Sequence, residues 1–243
     1  MIPLRDDNPR RTFPIVNYVL IAANILGFLW ELRLGNSLDR AIMQVGFIPA
    51  RFWITGYWTA DLFSIVISMF LHGGFLHIGS NMLYLWIFGD NVEDRLGHFR
   101  YLLFYFLCGF GATYAHAIFS PSSRLPAIGA SGAIAGVLGA YFFLFPLSRV
   151  IVLVPILFFP FFFELPAATY LAIWALGQVF SGTLSLAEAR DVGGIAWWAH
   201  VGGFIAGIVL HFFFIRRGRA YRRPVRDEYA IEGAWLPRHY WRK

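Results

Sequence analysis

Six long apolar runs dominate this sequence and constrain its fold more than any other feature. Each run has the length and composition that favour a helix crossing a lipid bilayer. Hydrophobic residues make up 58% of the 243 residues and charged residues only 14%, too few to cover a soluble core. We therefore predict an all-α polytopic membrane protein. The predicted spans are Phe13–Leu32, Gly74–Gly89, Phe99–Phe119, Ala130–Phe145, Leu165–Ser181 and Ala196–Ile215.

Two further apolar stretches are interrupted, and we predict that they connect spans without crossing the membrane. Trp53–Leu71 is rich in aromatic residues but is broken by Thr, Gly, Ala and Asp, which favours a long interfacial loop. Val150–Phe163 carries Pro155 and Pro160, which disfavour a continuous helix. We interpret this second stretch as an interfacial connector.

The distribution of basic residues predicts how the spans are oriented. Six spans place both termini on one side, and fifteen of the 20 Lys and Arg residues fall on that side. Basic loops face the cytoplasm, so both termini are predicted to be cytoplasmic. The predicted organisation is a cytoplasmic segment at 1–12, a membrane domain at 13–216 and a basic cytoplasmic tail at 217–243. The excess positive charge of +6 then lies mainly at the cytoplasmic face of the membrane, and no nucleic-acid partner is expected.

Three polar motifs lie near the predicted outer ends of the second, fourth and sixth spans. The first motif contains His77 and Asn81, the second contains Ser131 and the third contains His200. Polar groups inside a bilayer are costly and are often functional. The count of basic residues that orients the spans does not require the three motifs to lie at the same depth in the membrane. Their similar depth is therefore independent support for a shared site.

Spacing within these motifs predicts how the side chains meet. His77 and Asn81 are four residues apart and share a helix face. Small residues follow Ser131 and His200 at four-residue intervals, which lets two membrane helices approach closely. Such packing brings the Ser131 hydroxyl within reach of His200, the kind of base that a serine nucleophile needs. Backbone N–H groups at the start of the fourth span, with His77 and Asn81, are candidate donors to an oxyanion.

Other polar residues are assigned structural roles. His72 lies nearer the loop and is predicted to hold that loop in place. Asn17, Asn24 and Gln178 are predicted to make hydrogen bonds between helices. Glu93 is predicted to secure a cytoplasmic turn. A single serine or histidine in a membrane helix also has such structural explanations, so the prediction of a site rests on the combination.

These motifs resemble the rhomboid family of intramembrane serine proteases. The matching stretches are MFLHGGFLHIGSNMLYLWIFGDNVEDRLG, GASGAIAGVLGAY and WWAHVGGFIAG, and they occur in the order found in the family. The GxSG string alone is weak evidence, but HxxxN upstream and AHxxGxxxG downstream make the pattern specific. The resemblance covers about residues 13–216 and implies a six-transmembrane-helix rhomboid-like bundle.

The resemblance also implies the roles of the site residues. Ser131 is expected to be the nucleophile of a Ser–His dyad, and His200 its general base, with no acidic third member. His77, Asn81 and the backbone N–H of Ser131 are expected to form the oxyanion hole. The implied substrates are single-span membrane proteins, cut in or near the outer part of their spans, without a metal or other cofactor. The fifth span and the loop at 182–195 are expected to act as gate and cap. Apart from the resemblance, the short termini favour a location in a cell (plasma or inner) membrane.

The sequence departs from the family pattern at two places. Many members have Trp-Arg in the first loop, where this chain has Phe63 and Ser64. Some members have a tyrosine four residues after the nucleophile that stacks on the histidine, where this chain has Ala135. His200 must therefore be oriented by other packing, although neither departure removes a reacting group.

Alternative functions fit the sequence less well. A zinc-dependent membrane protease needs an HExxH string, which is absent, and a di-aspartyl protease needs two Asp in spans, whereas every Asp here lies in a predicted loop or tail. A transporter is disfavoured because the spans hold no paired charges. A non-catalytic relative that binds membrane clients remains the main alternative, although such relatives have usually lost the serine or the histidine.

Overall fold

The structure, a computed structural model, describes residues 1–55, 58–157, 159–187 and 196–215. Most of these residues are helical, and a short 3-10 turn at Gly35–Ser37 joins the first two helices. The strands are β1 (Ile2–Asp6), β2 (Arg149–Ile156) and β3 (Phe159–Pro166). The helices are α1 (Ile15–Leu34), α2 (Leu38–Val45), α3 (Pro49–Thr55), α4 (Trp58–Ser68), α5 (Phe75–Leu96), α6 (His98–Phe119), α7 (Ser131–Leu144), α8 (Ala167–Ala187) and α9 (Trp197–Phe214).

Each of the six predicted apolar runs coincides with one helix, namely α1 and α5 to α9. Among the described residues, three helical stretches are long and apolar enough to cross a membrane: Ile15–Val45, His98–Phe119 and Trp197–Phe214. Ser131–Leu144 is a shorter apolar helix. The chain is therefore a mostly helical protein with candidate membrane spans, and the count of six remains a prediction.

Helix α7 lies at the centre of the molecule, and every residue from Gly132 to Tyr141 is buried. Its small side chains let neighbouring backbones approach, because Gly136 faces the Cys108 side chain of α6 and the backbone of α9 at Gly203. Helix α9 packs against both α6 and α7. The predicted packing of the fourth and sixth spans through their small faces is confirmed.

A buried carboxylate ties α1 to α5. Glu93 is fully buried and accepts hydrogen bonds from the backbone N–H groups of Val16 (3.0 Å) and Asn17 (2.7 Å), which begin α1 without partners inside that helix. Asn17 Nδ2 in turn donates to Leu85 O at 2.9 Å, and Tyr101 OH donates to Asn17 Oδ1 at 2.9 Å. The predicted interhelical hydrogen bonds of Asn17 are confirmed, whereas Nδ2 of Asn24 donates to Leu20 O within α1 at 2.7 Å. Glu93 fixes where α1 starts.

The prediction of an all-α chain missed a small antiparallel sheet in the order β1-β2-β3. The stretch Val150–Phe163, predicted to be a connector, forms most of a hairpin, with Arg149 opposite Pro166 and Pro155 opposite Pro160. Val150 and Val152 are fully buried on one face of β2, and a run of β-branched residues with this alternation favours a strand. The prolines lie near the tip of the hairpin, where a missing N–H does least harm.

The connection between α1 and α5 is more helical than predicted. The stretch Trp53–Leu71 forms the end of α3 and all of α4 instead of an open interfacial loop. Ser68 at the end of α4 holds the chain in place, because its hydroxyl accepts a hydrogen bond from the backbone N–H of Phe47 at 2.7 Å. The predicted tail at 217–243 and residues 188–195 of the predicted cap lie outside the described residues.

Candidate active site

Ser131 is the first residue of α7 and lies two residues after a glycine with a positive φ. Gly129 has a φ of +122°, and its backbone N–H donates to Ser68 O at 2.8 Å, which anchors the chain before the helix. The first N–H groups of a helix have no partner within the helix. The local sequence therefore presents the Ser131 hydroxyl and unpaired backbone donors at the same helix end.

The structure brings Ser131 and His200 together. His200 lies in the first turn of α9, and its Nε2 is 2.8 Å from Ser131 Oγ. These residues are 69 positions apart in the sequence, so the contact depends on how α7 and α9 pack. A hydroxyl hydrogen-bonded to an imidazole is the arrangement in which the ring can take the hydroxyl proton.

On the side away from Ser131, the His200 ring is contacted mainly by residues of α8. His200 Nδ1 lies 2.7 Å from Oε1 of Gln178, and the Trp174 ring lies 6.1 Å from the imidazole centroid. The Trp197 ring meets the imidazole edge-on at 6.2 Å. Position 135 is an alanine with no ring to stack on the imidazole, and the aromatic neighbours of His200 are Trp174 and Trp197.

The sequence predicts an interhelical hydrogen bond for Gln178 but does not specify its partner. The available signal was a lone amide in an apolar span, which indicates a bond to some polar group on a neighbouring helix. The identity of that group depends on the rotation of α8 about its own axis. Local patterns do not specify this rotation.

His77 and Asn81 lie one turn apart on α5, and His77 lies next to the start of α7. A Cβ atom at Gly129 would lie 2.6 Å from His77 Nε2 and 3.6 Å from Ser131 Oγ, so these two atoms border the same point. The Gly73 N–H donates to His77 Nδ1 at 3.3 Å, which leaves Nε2 as the donor nitrogen of the neutral ring. Nδ2 of Asn81 is buried and makes no hydrogen bond to any described residue.

The loop before α5 is tied to α1 through the backbone of His72. Its backbone N–H donates to Glu31 Oε1 of α1 at 2.8 Å, and its ring packs edge-on against His77 at 5.1 Å. Burial, followed by the nearby His77 ring, lowers the pKa of His72 to about 4, so His72 is neutral near pH 7. Within the described ranges, no group of three His, Cys, Asp or Glu side chains is arranged to hold a metal ion.

The sequence around this site matches a known protein family. The Rhomboid domain family matches residues 59–217, well over half of the chain, and this range contains His77, Asn81, Ser131 and His200. The chain belongs to the rhomboid family. Its mostly helical fold and apolar helices are those of a membrane-embedded rhomboid protein.

Several curated rhomboid proteins are similar to this chain. "Rhomboid protein 1, mitochondrial" of Saccharomyces cerevisiae is 28% identical over 226 residues, which cover 90% of this chain and 58% of that protein. "Rhomboid protease GluP" of Bacillus subtilis is 38% identical over 128 residues, 52% of this chain and 24% of that protein. "Rhomboid-type serine protease 2" of Emericella nidulans is 30% identical over 168 residues, 67% of this chain and 29% of that protein. The chain therefore spans well under two thirds of the length of each of these relatives.

Proposed function

We propose that this rhomboid-family chain is an intramembrane serine endopeptidase that hydrolyses peptide bonds in or near the transmembrane segments of membrane proteins. The observation that carries the proposal is the 2.8 Å distance between Ser131 Oγ and His200 Nε2. Two relatives are named a rhomboid protease and a rhomboid-type serine protease, which supports the same activity. Ser131 is the proposed nucleophile and His200 the proposed general base.

The proposed reaction proceeds through an acyl-enzyme. Ser131 Oγ attacks the carbonyl carbon of the scissile peptide bond while His200 Nε2 takes the hydroxyl proton. The tetrahedral intermediate then collapses, the C–N bond breaks, and His200 donates that proton to the leaving amine. In the second half, His200 takes a proton from water, the resulting hydroxide attacks the ester, and Ser131 leaves with the proton returned by His200.

Three donors are proposed to stabilise the negative oxygen of the tetrahedral intermediate. Nε2–H of His77 and Nδ2 of Asn81 come from one face of α5, and the backbone N–H of Ser131 comes from the start of α7. The buried Nδ2 of Asn81, which makes no hydrogen bond to the described part of the chain, suits an oxygen that arrives with the substrate. Preorganised donors of this kind supply a large part of the rate enhancement in acyl transfer.

We further propose that α1 and α5 to α9 all cross the membrane. The protein is proposed to lie in the plasma or inner membrane, with both termini in the cytoplasm. Helix α7 has 14 residues and is about 21 Å long, whereas the apolar core of a bilayer is about 30 Å thick. The Ser131 end of α7 then lies below the outer surface, in a depression that water can enter. Such a depth suits single-span membrane proteins as substrates.

Covalent labelling tests the proposal without knowledge of the substrate. A serine-directed fluorophosphonate is expected to label the purified protein in detergent at Ser131, as read by mass spectrometry. Ser131→Ala and His200→Ala are expected to abolish the label. Ser185→Ala is the matched control, since this hydroxyl donates only to Gly182 O within α8. A folded wild-type protein that takes no label, or takes it elsewhere, contradicts the proposal and favours a non-catalytic binder of membrane clients.

A further inference from the structure

The His200 ring makes a hydrogen bond through each of its two nitrogens. Nε2 meets Ser131 Oγ at 2.8 Å, and Nδ1 meets Gln178 Oε1 at 2.7 Å. A neutral imidazole carries one proton, and the nitrogen without it is the one that acts as base. The partner of Nδ1 therefore decides whether Nε2 is free to accept the serine proton.

The orientation of the Gln178 amide follows from its second contact. Its Nε2 donates to the carbonyl of Trp174, one turn earlier in α8, at 3.4 Å. The oxygen of the same amide consequently faces His200 Nδ1. Because an amide oxygen only accepts hydrogen bonds, Nδ1 must carry the proton and Nε2 must present its lone pair to Ser131.

We infer that Gln178 is a positioning residue that fixes the reactive tautomer of His200 and links the Ser131–His200 pair to α8. The inference deepens the proposed function and rests on it. Gln178 does for His200 what an acidic third residue does in a Ser-His-Asp triad, but with a neutral amide. The resemblance to the rhomboid family implies only the dyad, so the role of Gln178 is inferred from the geometry of this chain.

Two observations separate this role from ordinary helix packing. The neighbouring hydroxyls of Thr183 and Ser185 donate to carbonyls of their own helix, whereas the Gln178 oxygen reaches a different helix. Ala135 supplies no ring to stack on His200, so α7 leaves the orientation of the imidazole to other elements. Helix α8 provides both the acceptor, Gln178, and the adjacent ring, Trp174.

This arrangement has a regulatory consequence for the same site. Ser131 and His200 lie on α7 and α9, which are packed backbone to backbone, whereas Gln178 lies on α8. A displacement of α8 away from α9 therefore breaks the Nδ1 hydrogen bond without separating Ser131 from His200. The reactive tautomer of His200, with its proton on Nδ1, is therefore stabilised only while α8 is packed against α9.

The rate of fluorophosphonate labelling at Ser131, measured against pH in detergent, tests the inference. Gln178→Leu removes the acceptor and is expected to lower the plateau rate about two- to tenfold, the equivalent of one neutral hydrogen bond. The midpoint of its pH profile is expected to move to lower pH, because the imidazolium also loses an acceptor. Gln178→Glu keeps an acceptor and adds a negative charge, so its midpoint is expected to rise by about one unit or more.

The midpoint distinguishes positioning from a purely structural role. A variant that is only partly folded loses amplitude but keeps the midpoint of the molecules that remain folded. Thr183→Val is the matched control on α8 and is expected to keep both the plateau and the midpoint. Unchanged midpoints in Gln178→Leu and Gln178→Glu, with labelling still dependent on Ser131 and His200, overturn the inference and leave the proposed function intact. Absence of labelling in the folded wild type overturns the proposed function and this inference with it.

Discussion

Gly203 of α9 lies directly against the backbone carbonyl of Gly132 of α7, one turn from the hydrogen bond between Ser131 and His200. A Cβ atom at Gly203 would overlap that carbonyl, and one at Gly207 would overlap the carbonyl of Gly136 in the same way. The separation of α7 and α9 is thus set by contact between backbones. This contact fixes the 2.8 Å distance between the two side chains at the end of the helices.

Gly207→Ala is expected to lower both stability and activity, although residue 207 lies two turns from His200. The added methyl group has no space beside Gly136 O, so α7 and α9 must separate. Overpacking of this kind costs about 1–3 kcal/mol. Thermal unfolding in detergent and the labelling rate of Ser131 measure the two effects. Gly79→Ala is the matched control, because a Cβ at that helical glycine meets nothing within 4 Å. Equal behaviour of the two variants contradicts the backbone-contact explanation.

The sequence predicted those parts of the site that depend on periodicity. Small residues at four-residue spacing predicted the contact between α7 and α9, and the same contact brings Ser131 to His200. The partner of Gln178 was not predicted, because it depends on how α8 is rotated. The pairing of β1 with β2 was missed for a similar reason, since Ile2 of β1 lies opposite Leu153 of β2 across most of the chain. Patterns within one segment carry no information about such a distant pairing.

Ser131→Ala and His200→Ala are each expected to abolish cleavage of a single-span membrane reporter while leaving the protein folded. Loss of a nucleophile or its base in a serine protease costs on the order of 10⁴–10⁶ in rate. Gel-based detection of the cleaved reporter in membranes measures the effect. His211→Ala is the control for the histidine, since its Nδ1 bonds to Ile208 O of the same helix at 2.6 Å, about three turns from His200. Normal cleavage by Ser131→Ala would remove Ser131 from the mechanism.

His77→Ala and Asn81→Ala are each expected to lower kcat by on the order of 10²–10³, with a much smaller effect on KM. Their donors act on an oxygen that becomes negative only in the transition state, so substrate binding does not depend on them. Steady-state kinetics on a single-span reporter measures the two constants. Ser80→Ala is the matched control on α5, because its hydroxyl donates to His77 O within the helix. A rise in KM at constant kcat would assign these residues to substrate binding.

The N-terminal strand is held by a carboxyl group that titrates near neutral pH. Asp6 Oδ2 accepts hydrogen bonds from Tyr141 OH of α7 at 2.5 Å and from Asn91 Nδ2 of α5 at 2.9 Å. Burial, with the nearby Asp90 and Asp7 carboxylates as lesser contributions, raises the pKa of Asp6 from 3.8 to about 7, while the Tyr141 hydrogen bond opposes the rise. The folded protein therefore binds the Asp6 proton more tightly than the unfolded chain does.

The sign of this shift determines how docking of β1 depends on pH. Because the folded pKa is the higher one, the stabilisation is fully present below about pH 4 and is lost as the pH rises through about 7. Hydrogen exchange in β1, corrected for the intrinsic rate, is thus expected to show less protection at pH 8.5 than at pH 5.5. Asp6→Asn is expected to remove most of this difference, whereas Asp39→Asn, at an exposed position on α2, keeps it. Equal protection of β1 at both pH values in the wild type would show that Asp6 does not control docking of the strand.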